Sequence, residues 1–197
     1  MAFNPKSIWY KMGATMRMID LSNALSLEEF AKDTHTGTHL DAPAYLLKSH
    51  RTIDNFGLGS FFSDAVILDL SHTKPGEAID DEDLEAAEEE AGLALREGEA
   101  AIIYTGGPVK PHAYLSENAA QYLEFKRVRM VGIDTPSIDS LTARDLPAHL
   151  TLLKSGILVL EGLCNLEEVD VPRFRLAAFP LKVKAPTSPV RALAILE

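Results

Sequence analysis

The 197-residue sequence carries 29 acidic against 19 basic side chains, a net charge of −10, and 46% of its residues are hydrophobic. That balance describes a globular chain able to bury a core, and no cluster of Lys/Arg forms the basic stripe that binding a phosphate backbone requires. The single cysteine, Cys164, excludes an intramolecular disulfide and a multi-cysteine zinc site, so any metal must use histidine and carboxylates.

No segment has the apolar centre of a secretion signal, and no run approaches the ~18 apolar residues of a membrane span. The expectation is one domain over residues 1–197, cytoplasmic, with no membrane or nucleic-acid partner. Phe3, Trp9 and Tyr10 precede the first strand and read as a packing or subunit contact, or as a pocket wall supplied across a dimer.

Residues 17–21 read as a short strand. Ser26-Leu-Glu-Glu29 then has the order of an N-cap followed by first-turn acids, which predicts a short helix. The apolar runs at 65–70, 100–104, 128–133 and 156–160 are compact and bounded by turn or polar residues, as buried, mostly parallel strands are. Residues 80–96 place Leu84, Ala87, Ala91 and Leu95 at helical spacing, with Gly98 just beyond, and predict the clearest helix. Further helices are expected over 118–125 and 143–154, so helices recur between strands as in layered α/β folds. The tail offers two strand-like pieces, 176–183 and 190–196, around a loop with two prolines, and predicts a closing hairpin.

His35, His39 and Asp41 fall within seven residues, and imidazole and carboxylate are natural ligands of Zn²⁺ or Mn²⁺. In an extended segment positions 35, 37, 39 and 41 share one face. Gly37 and Thr38 let the chain turn close to an ion, the Thr36 and Thr38 hydroxyls can orient the ligands, and Pro43 stiffens the exit. The alternative from spacing alone is a chance grouping of surface side chains.

The segment HTGTHLDAPAY resembles the H-x-G-T-H-x-D-x-P-x-H signature of the cyclase family of metal-dependent hydrolases, which includes bacterial kynurenine formamidases and isatin hydrolases. MIDLSNALS, VGIDTPSID, AHLTLLKSGILVLEGLCNL and FPLKVKAPTSPVRALAI extend the resemblance in order through most of residues 18–196. It implies an α/β fold, a swivelling β/β/α domain with a mixed sheet and flanking helices, forming a homo-oligomer, dimer or tetramer. It also implies one or two divalent ions, Zn or Mn, held by His35, His39, Asp41, His149 and Glu161, with Asp41 and Glu161 able to bridge. Without the family, His149 reads as a polar residue of an amphipathic helix. Glu161 reads as a strand-end carboxylate at the edge where open α/β sheets place ligands.

The implied activity is hydrolysis of an amide, formamide or lactam of a small-molecule substrate by metal-activated water, as in an arylformamidase. Tyr45 departs from the signature by standing where the family has the histidine assigned as general acid/base. A phenol of reference pKa about 10 is a poor base. Three readings stay open: a metal-activated acid, a hydrogen-bond donor to substrate, or a non-catalytic metal- or small-ligand-binding member of the fold. A structural oligomer whose histidines bind nothing is a further alternative. His50, in a polar loop, and His72 are expected to be exposed, as is His112 unless it faces the pocket. The resemblance also implies that Thr105-Gly106-Gly107 lines the pocket mouth, and the link from Ile19 to His35, shorter than in longer members of the family, implies a more open pocket or a different substrate.

Overall fold

The computed structural model describes residues 16–48, 51–107 and 109–197. The Phe3, Trp9 and Tyr10 group and His50 lie outside them.

Strand β1 (Arg17–Asp20) is followed by helix α1 (Leu27–Lys32), with Ser26 the expected N-cap and Glu29 closing a reciprocal capping box with it. Strand β2 (His39–Asp41) leads into a 3₁₀ turn over Pro43–Tyr45 with proline at its start. Strands β3 (Phe62–Asp69), β5 (Ala100–Tyr104), β7 (Met130–Ile133) and β8 (Leu158–Glu161) are the four apolar runs, and they pair in parallel in the order β3-β5-β7-β8. Helices α2 (Asp81–Ala91), α3 (Glu117–Phe125) and α4 (Pro147–Lys154) lie between them in sequence. Strands β9 (Arg173–Pro180) and β10 (Thr187–Leu196) form the closing hairpin, and the short β4 (Ala78–Ile79) and β6 (Tyr114–Leu115) pair with each other.

Two helix ends differ from the sequence reading. Helix α2 stops at Gly92, which takes the left-handed conformation of a C-cap, so Leu95 lies past the helix and its N–H is held by the Glu88 carboxylate at 3.0 Å. Helix α4 begins at Pro147 and not at 143, because proline fits only the first turn of a helix.

The main sheet runs β1-β10-β2-β8-β7-β5-β3-β9, and β9 pairs back onto β10. The hydrogen-bonded circuit therefore closes, with β1 attached to the far end of β10. This mixed sheet with flanking helices matches the expected α/β class. Alternation along the strands sorts the core into two parts. Leu40, Ile102, Met130, Leu158 and Leu160 fill the interior of the closed sheet, whereas Val66, Val131 and Val159 pack with Leu84, Leu123 and Leu152 of the helices. Full burial of each such side chain contributes roughly 1.5–3 kcal/mol. No helix among the described residues is long and apolar enough to cross a membrane.

His39 is paired directly with Glu161 across the antiparallel β2–β8 ladder. By the same alternation Glu161 projects with Val159, and His39 and Asp41 flank the inward Leu40, so all three polar side chains leave the closed interior. Just beyond, Gly162 has φ 66°, and a Cβ there would fall on the carbonyl oxygen of Gly37, well inside van der Waals contact.

Gly162→Ala is expected to destabilise the protein by about 2–3 kcal/mol and lower the melting temperature by roughly 4–12 °C. Gly92→Ala, at φ 63° but with nothing near its added methyl, costs about 1 kcal/mol. Thermal unfolding of the two variants side by side measures the difference.

Candidate metal centre

The cluster assembles at the C-terminal end of β8. Asp41 and Glu161 are fully buried, His149 is 1% exposed and His39 2%. His35 is not on β2: the chain turns at Gly37, and the His35 ring packs edge-on against His39 at 4.1 Å between centroids. The expectation that residues 35–41 form one extended face therefore holds only from His39 onward.

Each carboxylate presents one oxygen to the His35/His39 pair and the other to His149. Asp41 Oδ1 lies 3.2 Å from His35 Nδ1, and Oδ2 lies 3.4 Å from His149 Nε2. Glu161 Oε2 lies 3.1 Å from His39 Nε2 and 3.7 Å from His35 Nε2, while Oε1 lies 3.0 Å from His149 Nε2. One ligand atom each from His35, His39, Asp41 and Glu161 falls within 4.8 Å of the others, and His149 closes the group from the far side. Five side chains named from the sequence thus meet in one place.

The far nitrogens of two imidazoles are already committed. His39 Nδ1 meets the Gly37 carbonyl at 2.9 Å, and His149 Nδ1 meets Asp139 Oδ2 at 2.6 Å. This leaves His39 Nε2 and His149 Nε2 facing the carboxylates. Both nitrogens, with Asp41 Oδ2 and Glu161 Oε2, are buried, and although they lie in pairs 3.1 and 3.4 Å apart none has a partner in hydrogen-bond geometry. Buried polar atoms are normally satisfied, so four orphans converging on one spot have the donor set and arrangement that a divalent cation fits.

Electrostatics carry the same message. Burial favours the neutral imidazole of His149, but Asp139, Asp41 and Glu161 outweigh it and push its pKa up to about 12. His39 is raised likewise, against burial, by Glu161 and Asp41. Burial alone would raise Glu161, yet His149 and His39 hold it far below the usual carboxylate range. The carboxylates demand positive charge at this point, and among the described residues their ion-pair partners are imidazoles, so a proton on those rings or a metal ion supplies it.

Asp139 is the residue that sequence reasoning missed. Its carboxylate accepts from the backbone N–H of Ala148 and His149 at 2.9 and 3.1 Å, and also orients the His149 ring. It takes the place of the cap that Leu146, at φ 44°, does not provide. The only signal was Asp139 itself, at the end of the VGIDTPSID segment. Glu161 is oriented in turn by the Ile138 N–H at 2.8 Å.

His112 differs from its expected exposure. It is 3% exposed, with Nε2 3.1 Å from the Asp139 carbonyl oxygen, so it sits behind the residue that orients His149. His72 is exposed as expected. Thr38 ties the chain to Gly162 through its hydroxyl at 2.6 Å and not to a ligand side chain. The Thr105–Gly107 turn is held by the buried Asp134, which accepts from the N–H and hydroxyl of Thr105 and the N–H of Gly107. Gly106 and Gly107 line a cavity of about 400 Å³ with Asn23, Tyr104 and Cys164, and none of the five cluster residues lines it.

Tyr45 stacks on His35 with centroids 4.9 Å apart and planes 15° from parallel, and lies 5.7 Å from the His149 ring. Burial, and then the Asp41 charge, raise its pKa. The phenol therefore lies against the cluster at the position where the signature has histidine.

Asp139→Asn keeps a hydrogen-bonding group beside the helix but removes the charge that fixes His149. It is expected to weaken divalent-metal affinity by about 10- to 100-fold in a competition titration, and unchanged affinity would remove Asp139 from this role.

The Cyclase family model matches residues 3–140. A kynurenine formamidase of Geobacillus thermodenitrificans is 35% identical over 178 residues, covering 87% of this chain and 80% of the relative. A kynurenine formamidase of Salinibacter ruber is 34% identical over 188 residues, covering 91% and 84%. Among solved structures, one described as a potential metal-dependent hydrolase with cyclase activity superposes with TM-score 0.78 at 26% identity, covering 92% of this chain and 98% of its own. An isatin hydrolase bound to thioisatinate superposes with TM-score 0.80 at 21% identity, covering 92% of each, and shares the fold. With most of its length matched by the family and by these relatives, the chain belongs to the cyclase family of metal-dependent hydrolases.

Proposed function

We propose that the protein hydrolyses an amide, formamide or lactam of a small-molecule substrate, with a divalent cation, zinc or manganese, held by His35, His39, Asp41, His149 and Glu161. The observation that carries this reading is the convergence of four buried, unbonded donor atoms from His39, Asp41, His149 and Glu161. The split of each carboxylate between the His35/His39 side and the His149 side means that Asp41 and Glu161 would each offer an oxygen to both sides, which supports a site for one or two ions. Kynurenine formamidase relatives above 30% identity support the C–N bond as the one broken. Family membership also supports a homo-oligomer, dimer or tetramer.

When bound, the cation supplies Lewis acidity, which brings the pKa of water toward neutrality and offsets negative charge growing on the carbonyl oxygen. The protein's own groups do the rest. Asp139 and the Gly37 carbonyl keep His149 and His39 in one orientation, and burial excludes bulk water from both carboxylates. As water adds to the carbonyl carbon and the C–N bond breaks, a proton from that water must reach the leaving nitrogen. Tyr45, stacked on His35 at the edge of the cluster, is the group we assign to that transfer as proton donor or as hydrogen-bond donor to the substrate.

Replacement of the signature histidine by Tyr45 favours a second reading, a non-catalytic protein that binds a metal or small ligand. Turnover of N-formyl aromatic amines and small cyclic amides by metal-loaded protein separates the two. On the first reading the wild type is active, and Tyr45→Phe lowers turnover by about 10²- to 10⁴-fold with metal content unchanged. Unchanged turnover in Tyr45→Phe would remove the phenol from the reaction. A metal-loaded wild type without turnover, and no gain in Tyr45→His, would establish the second reading.

A further inference from the structure

Away from the metal centre, at the other end of the parallel strands, a cavity of about 460 Å³ is lined by Arg51, Arg127 and Arg129 with Phe56, Gly98, Ser155 and Gly156 among its other walls. Gly98 lies two residues before β5, Arg129 immediately before β7, and Leu158, which also lines the cavity, opens β8. Glu161 of the metal centre closes β8, so the two regions are separated by the length of that strand, about 10 Å.

The charge here runs against the rest of the molecule. The chain carries a net charge of −10, yet three arginines and one acid, Glu97, line this cavity, for a local sum of +2. Glu97 offsets little of it, since it meets Arg127 at 3.6 Å with both side chains more than 70% exposed. The cavity's Ser155 hydroxyl is committed to Glu124 outside it.

Two of the guanidinium groups are already oriented. Arg129 donates through Nε to the Gly98 carbonyl at 3.1 Å and through Nη1 to the Gly59 carbonyl at 3.0 Å. Arg51 donates through Nη2 to the Asn55 carbonyl at 2.9 Å and lies over the Phe56 ring at 3.9 Å from its centroid. Neutral carbonyls and a ring hold these groups in place without cancelling their charge. Three like charges gathered with one exposed counter-charge, Glu97, repel, and an anion relieves that repulsion. Guanidinium N–H groups match phosphate oxygens, and three arginines lining one space, with N–H groups beyond those given to the carbonyls, suit a dianion with oxygens on several sides better than a monovalent carboxylate, which one guanidinium satisfies.

We propose that this cavity binds a phosphate dianion, either free or as a phosphomonoester. The proposal stands independently of the metal centre and of the hydrolase reading.

Amide chemical shifts of the full chain, as purified and zinc-loaded, are followed at low ionic strength while inorganic phosphate, phenyl phosphate or benzoate is added. Saturable shifts are expected at Gly98, Arg129 and Gly156, equal with and without zinc and weaker in affinity as NaCl rises. Arg129→Met and Arg51→Met, which keep apolar stems, should each weaken binding about tenfold. Tighter binding of phenyl phosphate identifies a monoester site, and equal binding a site for free phosphate. Shifts confined to Gly37, Thr38 and Gly162 would place the anion on the metal centre and overturn the proposal. So would benzoate binding as well as phosphate, affinity unchanged in both variants, or no saturation.

Discussion

Two carboxylates, Asp41 and Glu161, are withdrawn completely from water at the junction of β2 and β8. Stripping an ionised carboxylate of its hydration costs several kcal/mol even after the protein relaxes, and two at one junction are tolerated only if positive charge is delivered to them. His35, His39 and His149 are the groups that deliver it or share it with a cation. Much of the surrounding architecture follows from keeping these side chains in register.

The β2–β8 ladder sets His39 opposite Glu161, and the close approach of Gly162 to Gly37 brings the His35 turn against the end of β8. Helix α4 must begin where its third residue, His149, reaches both carboxylates. Its N-terminus is positioned by Asp139 from the loop after β7, which caps the first backbone N–H groups and fixes the His149 ring with the same carboxylate. His112 contacts the Asp139 backbone from behind, so His149, its orienting carboxylate and the support of that carboxylate form one packed series.

The layered α/β class, the four parallel strands and the closing hairpin were legible because periodicity and turn residues are local signals. The seven residues from His35 to Asp41 were legible for the same reason. His149 and Glu161 were reached only through family resemblance, because nothing local tells that a helix histidine and a strand-end glutamate will meet across more than a hundred residues from His39. Asp139 escaped notice since its work consists of contacts to a helix start that the sequence placed too early. His112 was misjudged because its burial depends on that same loop. Helix α2 ends before Gly92 and not at Arg96, because the hydrophobic repeat reaching Leu95 outweighs the weaker cue of Gly92 in the sequence. At Asp139 and His112 tertiary contact overrides a pattern that is sound within its own window, whereas at α2 one local cue outweighs another.

The account stands on the buried carboxylate pair being a cation site. Its most direct test is elemental analysis after equilibrium dialysis against zinc or manganese, with the wild type beside a doubly substituted Asp41→Asn, Glu161→Gln protein. At least one ion per chain in the wild type, lost in the folded double variant, is the predicted result. Less than about one ion per two wild-type chains after reconstitution, or equal metal in both proteins, would contradict it.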